Sequence, residues 1–157
     1  MDRRIRVLLV DDHGYARRGL RALLATRPTV EVVCEAQDGL EAMQLIERSQ
    51  PDVVLMDIQM PTCDGLEATR SIKAQWPDVR VIALTANSIH QAAALSAGAD
   101  TFLLKGCPTA ELFAAIQGGE AAQKNAQAAD GTGGASAPGQ RGTELRPTGL
   151  AASALAV

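Results

Sequence analysis

The sequence predicts an α/β fold with a doubly wound parallel sheet, on two observations. Five apolar runs of strand length, Ile5–Val10, Val30–Ala36, Val53–Met56, Val79–Leu84 and Thr101–Leu104, punctuate the first two thirds of the chain. Between them lie segments with helical apolar spacing: Ala16, Leu20, Leu23 and Leu24 share one face, as do Ala42, Leu45 and Ile46, and Leu112, Ala115 and Ile116. Alternating strands and helices imply a parallel sheet covered on both faces. Right-handed crossovers then favour the order 2-1-3-4-5, the flavodoxin-like arrangement of five strands.

Each element carries a local signature. Ile5–Val10 is continuously apolar near its end, as a central strand is, whereas Val30–Ala36 alternates apolar and polar residues, as an edge strand does. The phrase Asp38-Gly39-Leu40-Glu41-Ala42 returns as Asp64-Gly65-Leu66-Glu67-Ala68, and each copy sets an Asp at a helix cap with a Glu three positions on, the capping-box pattern. Trp76 with Pro77 reads as the packed end of the helix that follows Asp64. A short Ala-rich helix is expected over Ser88–Ser96, with His90 on its solvent side, and His13 is expected at the start of the first helix. Met43, Met56 and Met60 read as packing residues.

Composition narrows the functional classes. The 157 residues are 46% hydrophobic and 21% charged, with a net charge of −3 and a pI near 5.3, so no basic excess marks a nucleic-acid surface. Cys34, Cys63 and Cys107 are widely spaced and form no CxxC or Cys/His cluster, which speaks for reduced thiols rather than zinc. The apolar run near the N-terminus is too short for a signal peptide or a membrane span, and a cytoplasmic location is expected. After Ile116 nearly half of the residues are Ala or Gly and none is aromatic. Such a segment cannot offset its ordering entropy with a core of its own. Residues 118–129 could extend the last helix, and Asp130–Gly142 reads as linker, including Gly131-Thr132-Gly133-Gly134, which follows no strand and is no phosphate loop.

The chemistry-bearing residues sit at strand ends. Asp11 and Asp12 follow the first strand, Asp57 ends the third, Thr85 the fourth and Lys105 the fifth. In a doubly wound sheet these positions share one crevice. Carboxylates gathered there repel, and a hard divalent cation such as magnesium relieves the repulsion. An Asp so placed can attack phosphorus as a nucleophile, a Lys can pair with a phosphate oxygen, and a Thr hydroxyl can donate to another.

The phrases Val7-Leu8-Leu9-Val10-Asp11-Asp12-His13, Val53 through Pro61, Asp64-Gly65, Leu84-Thr85-Ala86, and Ala97-Gly98-Ala99-Asp100 through Leu104-Lys105 resemble the receiver domain of bacterial two-component response regulators, most closely the NarL-type branch, over about residues 4–118. The resemblance implies that Asp57 is the phosphoacceptor, Asp12 a direct magnesium ligand and Asp11 a ligand acting through water, with the backbone carbonyl of Gln59 added to the metal. It implies that Thr85 and Phe102 form the switch pair, that Lys105 binds the phosphoryl group, and that side chains at Gln59 and Asn87 govern its lifetime. The donor it implies is a phosphohistidine on a sensor histidine kinase or a phosphotransfer protein, and the output a protein partner or homodimerisation through the face of helix 4, strand 5 and helix 5. The stretch from Thr85 to Gly98 is about two residues shorter than is usual in that family, which puts the output face in question.

On this reading residues 1–120 are the receiver and 121–157 a flexible tail. Leu145-Arg146-Pro147-Thr148-Gly149-Leu150 is similar to the opening of a LuxR-type helix-turn-helix domain, but the seven residues after Leu150 cannot hold a recognition helix, and no DNA binding is expected from this chain alone. Three classes stay open: a stand-alone receiver, a truncated or degenerate transcription regulator of NarL type, and a hydrolase. Haloacid-dehalogenase-type phosphatases need a second Asp two positions after the nucleophile, where this chain has Gln59. Flavin binding lacks its phosphate loop after the first strand.

Overall fold

A computed structural model describes residues 3–61 and 64–118. In chain order the elements are β1 (Ile5–Val10), α1 (Gly14–Leu24), β2 (Val30–Ala36), α2 (Gly39–Ser49), β3 (Val53–Asp57), α3 (Gly65–Gln75), β4 (Arg80–Thr85), a 3-10 turn (Ser88–His90), α4 (Gln91–Ser96), β5 (Thr101–Leu104) and α5 (Thr109–Gln117). All strand pairs are parallel and the sheet order is β2-β1-β3-β4-β5, as expected.

The pleat explains the two-sided core. Successive residues of a strand face opposite sides of the sheet. Leu8, Val10, Val54 and Met56 therefore meet Ala42, Ile46, Ala68, Ile72 and Ala94 of α2, α3 and α4. Val7, Leu9, Val53 and Leu55 meet Leu24 of α1 and Leu112, Phe113 and Ile116 of α5. Each of the largest buried side chains contributes about 1.5–3 kcal/mol. β3 is buried along its whole length, and β2 is mostly half-buried, which is the contrast between a central and an edge strand. Trp76 and Met43 pack against the first cluster, and Met56 and Met60 are buried in it.

Helix starts follow their sequence signals with one variation. The Asp38 side chain accepts from the Glu41 amide, and Glu41 reaches back to the Gln37 amide at 2.9 Å, a capping box shifted by one residue. Asp64 instead accepts from the Leu66 amide at 2.9 Å, two residues on. At Gly65 a Cβ would lie 2.3 Å from the carbonyl oxygen of Asp57 and 2.7 Å from Ile58 Cα, so only glycine lets the helix approach this closely.

Two expectations are corrected. Ser88–Ser96 is not one helix. The Asn87 side chain caps a 3-10 turn by accepting from the Ile89 amide at 3.0 Å, and a six-residue α4 follows. His90 sits at their junction and is half-buried. Finally, α5 ends at Gln117 with Gly118 left-handed at φ 74°, so the helix does not run on through residue 118. Cys63, residues 119–129, the linker and the Leu145–Leu150 stretch lie outside the described residues.

Candidate functional site

The carboxyl ends of β1, β3, β4 and β5 meet in one crevice. Asp11 leaves β1 with its amide bonded to the Ala36 carbonyl, which fixes the backbone where the acidic pair begins. Its side chain is only 2% exposed, and both oxygens are engaged: Oδ1 accepts from the His13 amide at 2.9 Å and Oδ2 from Lys105 Nζ at 3.0 Å. Arg17 of α1 donates to the Asp11 carbonyl, tying the first helix to the same loop. Lys105 follows β5, and its amide bonds to the Thr85 carbonyl at 2.8 Å, which aims the side chain across the sheet edge.

Asp57 is 3% exposed. Its Oδ1 accepts from the Gln59 amide at 3.2 Å and lies 3.4 Å from Lys105 Nζ. Its Oδ2 is sealed from solvent and has no hydrogen-bond partner. Asp12 Oδ1 is likewise buried without an aligned hydrogen bond, although His13 Nδ1 stands 3.1 Å away. Burial pushes the Asp57 carboxyl above its ordinary pKa. Lys105 opposes that rise, and the neighbouring charge of Asp11 adds to it. For Lys105 burial acts to lower the pKa, but the hydrogen bond to Asp11 and the charges of Asp57 and Asp11 prevail and hold it above the ordinary value.

Buried carboxylate oxygens without donors are costly, on the order of 1–3 kcal/mol each and more when charged. Donor atoms of Asp11, Asp12, His13 and Asp57 all lie within 4.8 Å of one another. This donor set fits a divalent cation: hard oxygens predominate, two of them are free, and Lys105 does not reach those two. The two free oxygens belong to Asp12 and Asp57, while each oxygen of Asp11 already accepts one hydrogen bond, from Lys105 or from the loop amide.

The remaining expected residues are also placed. Thr85 is fully buried, and its hydroxyl donates to Gln59 Oε1 at 3.3 Å while accepting from the Asn87 amide at 3.4 Å. Phe102 pairs with Ala83 in the sheet and is half-buried against the first core cluster. The sequence reading missed two features. His13, treated as a simple helix start, makes no capping side-chain bond and turns Nδ1 toward both aspartates, 3.4 Å from Asp11 and 3.1 Å from Asp12. The Gln59 side chain holds the Thr85 hydroxyl. The Asp-Asp-His sequence carried a hint of the first, and nothing local signalled the second.

A doubly wound sheet whose crevice gathers three aspartates, a lysine and a threonine defines a class: an α/β domain with an acidic site, able to hold a cation, at the carboxyl edge of its sheet. Residues 7–117 match the response regulator receiver domain family. This chain belongs to that family. It is 42% identical over 120 residues to the uncharacterized transcriptional regulatory protein YhcZ of Bacillus subtilis, covering 74% of this chain and 56% of that protein. It is 38% identical over 120 residues to the nitrate/nitrite response regulator protein NarP of Escherichia coli, covering 75% and 56%. Among solved structures, a LuxR-family two-component response regulator from Aurantimonas sp. superposes with a TM-score of 0.69 at 38% identity, over 73% of this chain and 84% of that one. The chain spans about half the length of the curated relatives it matches. Among the described residues no helix is long and apolar enough to cross a membrane.

Proposed function

We propose that this chain is a phosphorylation-operated switch in which Asp57 accepts a phosphoryl group from a histidine kinase or a histidine phosphotransfer protein. A carboxylate oxygen of Asp57 forms the new O–P bond as the P–N bond to the donor imidazole breaks, and the departing imidazole nitrogen keeps the bonding pair and takes up a proton. The observation that carries this is the shared lysine: Lys105 bridges Asp11 at 3.0 Å and Asp57 at 3.4 Å, leaving Asp57 Oδ2 unpaired. Asp57 and Asp12 would hold magnesium directly, with the Gln59 carbonyl, and Asp11 through water. When bound, the ion supplies charge neutralisation between carboxylate and phosphoryl oxygens.

Lys105 then exchanges part of its contact with Asp57 for a phosphoryl oxygen, as a point charge. Thr85 leaves Gln59 Oε1 and donates to another phosphoryl oxygen, and Phe102 follows into the space released. The face of α4, β5 and α5 is thereby biased toward binding a partner or a second copy, a shift between two existing arrangements. Gln59 and Asn87 shape water access, and the chain's own chemistry is limited to self-phosphorylation and self-dephosphorylation. Residues 1–120 constitute the receiver and 121–157 a tail. The chain works in the cytoplasm. The alternative, a truncated NarL-type transcription regulator, draws on relatives that are transcriptional regulators by name.

The test is incubation with a small phosphodonor and magnesium, followed by intact mass. The wild type should gain one phosphoryl group and Asp57→Asn none. Equal labelling of the variant would assign the acceptor elsewhere.

A further inference from the structure

We propose that the acidic pocket is also a binding site for borderline divalent metals of the zinc type, with His13 as a ligand that magnesium does not use. The inference rests on the reading of this pocket as a cation site and goes beyond it in the metal and in the residue.

The donors sort themselves by what they already hold. Asp11 spends one oxygen on Lys105 and the other on the His13 amide. Asp12 Oδ1 and Asp57 Oδ2 are buried and unbonded, and the carboxylate of Asp57 is 97% removed from solvent. His13 Nδ1 stands 3.1 Å from Asp12 Oδ1. One ligand atom from each of Asp11, Asp12, His13 and Asp57 lies within 4.8 Å of the others. Ligands about 2.0–2.2 Å from one ion are separated by roughly 3–4 Å, so modest contraction around a single metal brings two carboxylates and one imidazole into a common shell. That is a mixed oxygen and nitrogen set with positions left for water.

Ligand chemistry decides which metals notice the imidazole. Magnesium favours oxygen and keeps its water, so it is served by the carboxylates alone. Zinc and cobalt take neutral imidazole readily. The histidine side chain is 71% exposed and caps nothing, so its ring is free to turn onto the metal, and its removal takes away no structural bond of its own beyond the aspartate contacts. Zinc so bound shares the free oxygens of Asp12 and Asp57 with magnesium and therefore competes with it for the pocket.

The test uses tag-free full-length protein, with wild type, His13→Ala and Asp57→Asn compared by calorimetric titration with Zn²⁺ and with Mg²⁺, and by the visible spectrum of Co²⁺. The cysteines are common to all three proteins, so the comparison isolates the pocket. His13→Ala should weaken zinc binding by at least about tenfold, a loss typical of disturbed metal shells, and should remove an imidazole-type change in the cobalt spectrum, with magnesium affinity held. Asp57→Asn should weaken both metals. Zinc affinity and cobalt spectrum unaltered in His13→Ala, with magnesium still sensitive to Asp57→Asn, would overturn the histidine ligand and leave the proposed switch standing. Equal weakening of both metals in His13→Ala would overturn it too, because His13 would then act by placing Asp12. Indifference of both metals to Asp57→Asn would overturn the inference and the cation site together.

Discussion

Asp57→Asn should make the protein more stable when no divalent ion is present. The substitution keeps what Asp57 Oδ1 does, since an amide oxygen can still accept from the Gln59 amide at 3.2 Å. It forfeits one long contact to Lys105 at 3.4 Å, and Lys105 retains Asp11 at 3.0 Å. In exchange it removes a buried charge from beside Asp11 and Asp12 and puts an N–H donor where Oδ2 had no partner. An unsatisfied buried group costs about 1–3 kcal/mol, and a partly exposed ion pair of this length returns up to about 1 kcal/mol. The net expectation is stabilisation by about 1–2 kcal/mol, or about 3–8 °C in Tm for a domain of this size. Urea and thermal unfolding in EDTA at pH 7 measure it. The pH dependence has a definite sign. Burial raises the Asp57 carboxyl in the folded state, so the wild type gains stability as pH falls from above that raised value toward the ordinary carboxylate range near 4, and the gap to the variant closes. Magnesium at a hundred times its Kd should add about 2.7 kcal/mol to the wild type and distinctly less to the variant. A variant no more stable than wild type in EDTA would refute the premise that these carboxylates strain the free site.

Three further expectations concern the scaffold. Gly65→Ala forces a Cβ against backbone atoms of Asp57 and Ile58 that cannot yield, and should cost about 3 kcal/mol in urea unfolding, the upper end for overpacking. Asp52 is held below its ordinary pKa chiefly by its hydrogen-bonded pair with Arg3, and it also accepts from the Arg6 amide at 2.8 Å. Its stabilisation is thus present above about pH 4 and vanishes as pH falls through the lowered value. Asp52→Asn should cost up to about 1 kcal/mol at pH 7, mostly because a neutral amide oxygen accepts from the Arg6 amide more weakly than a carboxylate and the Arg3 pair is exposed, and nothing in acid. Arg80 donates to the Ala115 and Ile116 carbonyls at the end of α5. Arg80→Ala should cost about 1–2 kcal/mol and speed amide exchange in the last turn of α5, leaving β1 and β3 protected.

The fold was legible because its strands announce themselves. Val53–Met56 is apolar throughout and so must be central, while Glu31 and Glu35 mark Val30–Ala36 as an edge. The candidate site was legible for a topological reason: Asp11, Asp57, Thr85 and Lys105 each terminate a strand, and parallel strands end on one side. Rotamers and local backbone carried the rest. Whether Ser88–Ser96 is one helix or two depends on the Asn87 side chain capturing the Ile89 amide, a choice residue types leave open. The turn of His13 toward the aspartates and the grip of Gln59 on Thr85 depend on side-chain torsions. The Arg80 clamp joins residues 35 and 36 positions apart, with no pattern to reveal it.

That clamp fixes where α5 ends relative to the acidic crevice. Arg80 opens β4, so the final turn of α5 is pinned at the amino rim of the sheet, where the left-handed Gly118 closes the helix. Asp57 lies on the other rim, roughly 20 Å off by the length of a six-residue strand. On the proposed reading, a change raised at Asp57 has the body of the sheet to cross before it reaches the end of α5, which makes the packing between the rims part of the message.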